Sequence, residues 1–172
     1  LDISVSYYTK MITDSSGNFS NESLLRKNGG HLKTRDFKLS KLFRDNQLDY
    51  NAFLEKYYQF PFDNWLSITK PYCDFIIRFE SLINDFEKAL LHCRIKPKRS
   101  LPLVNKTKKK KAFESFYNES NKAICLSIFG PFMLHHNISF PAAWGDCKVG
   151  WFPKLKFKVL GYVRRFYWMN KS

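Results

Sequence analysis

The sequence predicts an α/β fold in which a parallel sheet lies between layers of helices. Residues Asp74–Glu80 form a short run of β-branched and aromatic side chains, which is the composition of a buried strand. A helical pattern follows directly, with Leu82, Ile83, Phe86 and Leu90 on one face. Because parallel strands are joined through helices, a strand that leads straight into a helix favours a three-layer α/β architecture.

Several further helices are predicted before and after this strand. Residues 1–11 are expected to form a mostly buried helix, and residues 13–30, rich in Ser, Asn and Gly, a long polar loop. Aromatic and aliphatic side chains then recur at helical spacing at Tyr50, Phe53, Leu54, Tyr57 and Tyr58. That spacing predicts a helix that packs through one face and ends before Pro61. Helices are also expected at about 113–129 and 154–168.

Composition indicates a folded domain that attracts anions. The 172 residues are 44% hydrophobic, and 29 Lys and Arg against 15 Asp and Glu give a net charge of +14. Such a balance favours phosphates, acidic glycans, nucleic acid or anionic lipid as partners. No apolar run is long enough to cross a bilayer, so no transmembrane segment is predicted. The four cysteines lack paired spacing, so no metal site is expected.

The opening residues Leu1–Tyr8 resemble the end of a known signature. They resemble the continuation of the sulfotransferase motif Arg-Asn-Pro-x-Asp-x-x-x-Ser-x-Tyr, whose arginine and serine hold the 3′-phosphate of 3′-phosphoadenosine 5′-phosphosulfate. By that resemblance, Ser6 is the serine that contacts the phosphate of this donor co-substrate. The arginine, the phosphosulfate loop and the catalytic base are then expected upstream of Leu1, and the fold to be incomplete at its N-terminus.

Three later segments resemble the same superfamily in the same order. Residues 76–86 are similar to its strand, Glu-x-Leu turn and helix, residues 103–108 to its Asn-Lys-Thr loop, and residues 140–145 to its Phe-Pro segment. The resemblance covers residues 1–145 and leaves 146–172 as a basic, aromatic tail. It implies that residues 1–172 are the C-terminal part of a single sulfotransferase domain with a P-loop nucleotide-kinase-like fold.

The resemblance also implies an activity and its partners. The enzyme would transfer a sulfuryl group to a hydroxyl acceptor, with a carbohydrate as one candidate, although residues 1–172 alone would be inactive. The nucleotide would be contacted at Lys106, Thr107, Lys108 and Lys109, whereas the competing interpretation is a solvated charge run. No metal and no nucleic acid beyond the donor nucleotide are expected. A bacterial cytoplasm is favoured, and the Golgi lumen is the alternative.

A non-catalytic function is the second hypothesis. The basic segment 94–111 and the basic, aromatic tail 151–172 would suit a module that binds nucleic acid or an anionic membrane surface. For the tail, three interpretations stay open: a helix on a membrane surface, a wall of an acceptor site, or a final helix that packs on the domain. Packing is the expected default.

Overall fold

The computed structural model describes residues 2–78, 81–96, 98–102 and 113–170. Its helices, in chain order, are α1 (Asp2–Thr13), α2 (Thr34–Asp45), α3 (Tyr50–Tyr57), α4 (Leu66–Thr69), α5 (Leu82–His92), α6 (Glu119–Ile128), α7 (Gly130–His135) and α8 (Trp151–Met169). Short 3₁₀ turns occupy 22–24, 26–28, 70–72, 113–116 and 142–144. The described part of the chain is therefore built from helices.

The predicted α/β fold is wrong. Within the described ranges there is no sheet, and the single β-bridge pairs Leu25 with Leu32. Residues 74–78, which were predicted to begin a buried strand, are exposed and lie outside any strand, while 79 and 80 fall outside the described residues. A short apolar run forms a strand only where a neighbouring strand pairs with it, and the described residues offer none. The predicted P-loop nucleotide-kinase-like architecture, which requires a parallel sheet, is therefore wrong as well.

The chain divides into two compact units. Unit 1 consists of Leu1–Phe62 with Lys111–Val159, and unit 2 of Asp63–Lys110 with Leu160–Ser172. The helix α8 runs from one into the other, since the division falls between Val159 and Leu160.

Aromatic rings form the centre of unit 1. Phe53 on α3 is fully buried, and its ring lies 5.4 Å from that of Tyr8 and 5.7 Å from that of Phe43. Tyr50 adds an edge-on contact with Tyr8 at 5.4 Å. Tilted and edge-on ring pairs are the favoured geometries of aromatic packing, so α1, α2 and α3 meet through these side chains.

Buried hydroxyl groups in unit 1 are paired with one another. The Tyr50 hydroxyl lies 2.8 Å from Ser4 Oγ and 2.8 Å from the Tyr117 hydroxyl. Ser40 Oγ donates to the carbonyl of Met11 at 2.7 Å and so ties α2 to α1. Burial also raises the pKa of Tyr50 well above its usual range, so its hydroxyl stays neutral.

Side-chain caps set the starts of two predicted helices in unit 1. Asp49 caps α3 by accepting from the Ala52 amide at 2.9 Å, and the helix ends at Tyr57, before Pro61, as predicted. At α6, Asn118 and Asn121 form a reciprocal capping box. The expected helix at 113–129 is therefore split, because this cap starts a new helix after a 3₁₀ turn.

Candidate functional site

The residues predicted to bind the nucleotide are only partly described. Ser6 lies on α1 and is exposed. Lys106, Thr107, Lys108 and Lys109 lie outside the described residues. The assignment of these residues to a phosphate site therefore stays a prediction.

A different feature stands out on α8, the final helix. One side of this helix carries large apolar side chains that face solvent, and Trp151 and Phe166 are 74% and 73% exposed. The exposed apolar stripe, as we call it, consists of Trp151, Phe152, Leu155, Val159, Tyr162, Val163, Phe166 and Met169. At 3.6 residues per turn these side chains fall within about 120° of the helix circumference. The stripe is therefore continuous along the helix.

The opposite side of α8 makes the contacts with the rest of the chain. Its half-buried residues are Pro153, Phe157, Leu160, Gly161 and Arg164. In unit 1, the ring of Phe157 lies 5.9 Å from that of His135. In unit 2, Gly161 lies so near Ser67 that a β-carbon at position 161 would be in van der Waals contact with it. No residue of α8 is fully buried, so the helix lies on the surface.

Cations border the exposed apolar stripe. On the helical wheel, Lys154, Lys158 and Arg165 lie along one edge, and Lys156 lies at the other. The ammonium of Lys156 lies 4.5 Å from the centre of the Phe152 ring, which is a cation–π contact. The helix contains no Asp or Glu. An apolar face with basic edges is the pattern of helices that lie in a membrane interface.

An ion pair fixes the C-terminal half of α8 in unit 2. Arg164 Nη1 lies 3.2 Å from Asp63 Oδ2, and the Asp63 side chain is almost completely buried. Ser67 Oγ donates to the same carboxylate oxygen at 2.6 Å. Because the carboxylate is shielded from water, the neighbouring guanidinium stabilises its charge.

Removing this guanidinium is expected to destabilise the protein. In Arg164→Gln, Asp63 stays buried but loses its ion partner, and we expect the free energy of unfolding to fall by about 1–3 kcal/mol. The loss is below the cost of breaking a fully buried pair because Arg164 is partly solvated. Urea unfolding followed by circular dichroism measures it. Lys158→Gln, an exposed change on the same helix, is the control, and equal midpoints would show that the pair adds no stability.

The sequence predicted α8 but not its orientation. Residues 154–168 were expected to be helical, and the helix spans Trp151–Met169. An amphipathic pattern shows that one face is apolar, yet it does not show whether that face turns to the core. Aromatics so dense beside lysines, without any acid, were the available signal.

The comparisons with known proteins give no relative. No family model, no curated protein and no solved structure matches this chain. Among the described helices, none has both the length and the apolar character that crossing a bilayer requires. No group of metal-ligating side chains gathers in the described ranges either. The candidate site therefore rests on the physical character of α8.

Proposed function

We propose that this protein binds the surface of anionic membranes through α8, with the helix axis in the plane of the interface. The observation that carries the proposal is the exposed apolar stripe with its basic edges. Apolar side chains would enter the boundary between headgroups and acyl chains, and the long cationic side chains would reach back to the phosphates. This develops the non-catalytic hypothesis drawn from the sequence.

The basic edges favour a membrane over a second copy of the chain. If two α8 helices packed stripe to stripe, Lys154, Lys158 and Arg165 of each would flank the contact. Charged residues that flank an apolar contact decide which helices pair. Because both copies would carry cations there, they would repel each other. An anionic bilayer offers the same apolar contact together with opposite charge.

The position of the apolar side chains disfavours nucleic acid. Binding to the phosphate backbone needs cations on the contacting face, whereas the centre of the exposed face holds none. Aromatic side chains can stack on unpaired bases, but Leu155, Val159 and Val163 give no stacking surface in the middle of the stripe. The geometry therefore supports a lipid surface better.

Sulfotransferase activity remains a separate prediction. It would transfer the sulfuryl group of 3′-phosphoadenosine 5′-phosphosulfate to a hydroxyl acceptor. No contact among the described residues supports it, and those residues lack the parallel sheet that its nucleotide site was expected to use. Calorimetry with adenosine 3′,5′-bisphosphate against 5′-AMP tests it, because only the first carries the 3′-phosphate. Equal binding of the two nucleotides would reject the 3′-phosphate site assigned to Ser6.

Vesicle flotation tests the membrane proposal. Wild-type protein is expected to float with vesicles that contain phosphatidylserine and to stay at the bottom with vesicles of phosphatidylcholine alone. Salt should weaken the association, because the ionic part of the attraction is screened. Protein that floats equally with both vesicles, or with neither, would contradict the proposal.

The basic edge is expected to contribute measurably to this binding. The double variant Lys154→Gln with Lys158→Gln should lower the partition coefficient on anionic vesicles by about 30-fold, since each lysine near an anionic surface is worth about 1 kcal/mol. Titration of vesicles monitored by tryptophan fluorescence measures the coefficient.

A matched variant separates this local effect from net charge. Lys38→Gln with Lys41→Gln removes the same charge from exposed positions on α2. We expect it to change the partition coefficient much less. If the two double variants lose the same affinity, the attraction belongs to the overall charge and not to α8.

A further inference from the structure

An open groove lies beside the C-terminal end of α8, inside unit 2. It encloses about 300 Å³ and is lined by Ile68, Tyr72, Arg165, Trp168 and Met169. This volume is at the lower end of the range of about 300–1,000 Å³ for small-molecule sites, so the groove suits a part of a ligand. Its lining is apolar and aromatic except for one guanidinium.

Two contacts hold the side chains of the groove in place. The ring of Trp168 meets that of Trp65 edge-on, with centroids 6.2 Å apart. Arg165 Nε donates to the carbonyl of Ser67 at 3.4 Å. This bond uses one donor of the guanidinium, and its terminal nitrogens have no partner among the described residues. Tyr72, which is 72% exposed, leaves the groove open to solvent.

We infer that this groove binds a single anionic phospholipid, with Arg165 on the phosphate and the first acyl carbons against Ile68 and Trp168. This inference rests on the proposed function. Arg165 belongs to the basic edge of α8, which lies at the level of the headgroups when the exposed apolar stripe enters the interface. A guanidinium binds phosphate through paired, charge-assisted hydrogen bonds, and the tryptophan ring packs well against the upper part of the acyl chain.

Short-chain lipids test the groove without a bilayer. The full chain is titrated by calorimetry with dihexanoyl phosphatidylserine, kept below the concentration at which it forms micelles. Dihexanoyl phosphatidylcholine and glycerophosphoserine, which lacks acyl chains, are titrated in parallel. We expect the anionic lipid to bind at least about tenfold more tightly than either comparison ligand.

Two variants locate the binding. Ile68→Trp fills the groove without changing charge, and Arg165→Gln removes the guanidinium. Each variant is expected to bind the anionic lipid about tenfold or more weakly than wild type does. Leu91→Trp, an equal change at an exposed position of α5, is the control and should bind as wild type does. Thermal unfolding of each variant confirms that it is folded.

The possible results distinguish the groove from the proposed membrane binding. If Ile68→Trp binds the lipid as wild type does, the groove is not the site. If glycerophosphoserine binds equally well, the site takes phosphate and not lipid, and if phosphatidylcholine does, the anionic recognition is wrong; either result overturns the inference. Wild-type protein that floats with anionic vesicles but binds no monomeric lipid would overturn the groove and leave the proposed function standing. Failure to float would reject the proposed function, while the titration would still report on the groove.

Discussion

Trp151→Ser combined with Phe166→Ser is expected to abolish membrane association, lowering the partition coefficient on anionic vesicles by at least about 100-fold. A large apolar side chain gains about 1.5–3 kcal/mol when it leaves water, so two of them account for a loss of this size. About three quarters of each residue's surface is exposed in the structure, and the folded state should therefore be little affected. Cosedimentation with sucrose-loaded vesicles measures the coefficient, and thermal unfolding checks the fold.

The matched control removes apolar surface elsewhere. Ile3→Ser with Leu91→Ser truncates two exposed side chains on α1 and α5. This variant should bind vesicles as wild type does. Equal losses in both double variants would mean that binding follows general surface hydrophobicity, and the role given to α8 would be wrong.

Phe53→Ala should have the largest effect on stability. Phe53 is fully buried and its ring contacts those of Tyr8, Phe43, Tyr50 and Tyr57. Removing a buried phenyl ring and leaving a cavity costs about 3–5 kcal/mol, so we expect a loss of this order in the free energy of unfolding. Urea titration followed by far-ultraviolet circular dichroism provides the measurement.

An exposed phenylalanine nearby supplies the comparison. Phe60, which follows α3, is exposed, and Phe60→Ala should change stability by less than about 0.5 kcal/mol. If both variants unfold at the same urea concentration, Phe53 is not at the centre of the core that holds α1, α2 and α3 together.

Helical periodicity was the sequence signal that predicted the helices reliably. The spacing of Tyr50, Phe53 and Leu54 predicted α3, and all three are buried. The helical spacing of Leu82, Ile83, Phe86 and Leu90 predicted α5 in the same way. In each case the prediction rests on a pattern repeated over about two or three turns, which one misleading residue does not change.

The strand was misassigned because its pattern was short. The side chains from Phe75 to Ile77 suit a strand, but their composition cannot report whether a second strand pairs with them. The resemblance to sulfotransferases strengthened the expectation of a sheet, since that family has one. Residues 75–77 lie in neither a strand nor a helix, because no other described segment pairs with them as a neighbouring strand would.

The candidate site was only half predictable. The basic and aromatic composition of 151–172 indicated an amphipathic helix, and α8 is one. Its packed side depends on distant partners, such as Asp63 for Arg164, that the sequence does not link to it. With that side occupied, the apolar stripe is left in solvent, and this arrangement follows from the folded chain alone.

The most direct test of the account is the quenching of tryptophan fluorescence by lipids brominated on the upper acyl carbons, in anionic vesicles. Trp151 lies on the exposed apolar stripe, Trp144 is buried in unit 1, and Trp65 and Trp168 are exposed but lie outside the stripe, where their rings contact each other. We expect strong quenching of the wild-type protein and a clear loss of that quenching in Trp151→Phe, which keeps the apolar surface. Quenching that is absent in the wild type, or unchanged in Trp151→Phe, would contradict the claim that α8 enters the membrane interface.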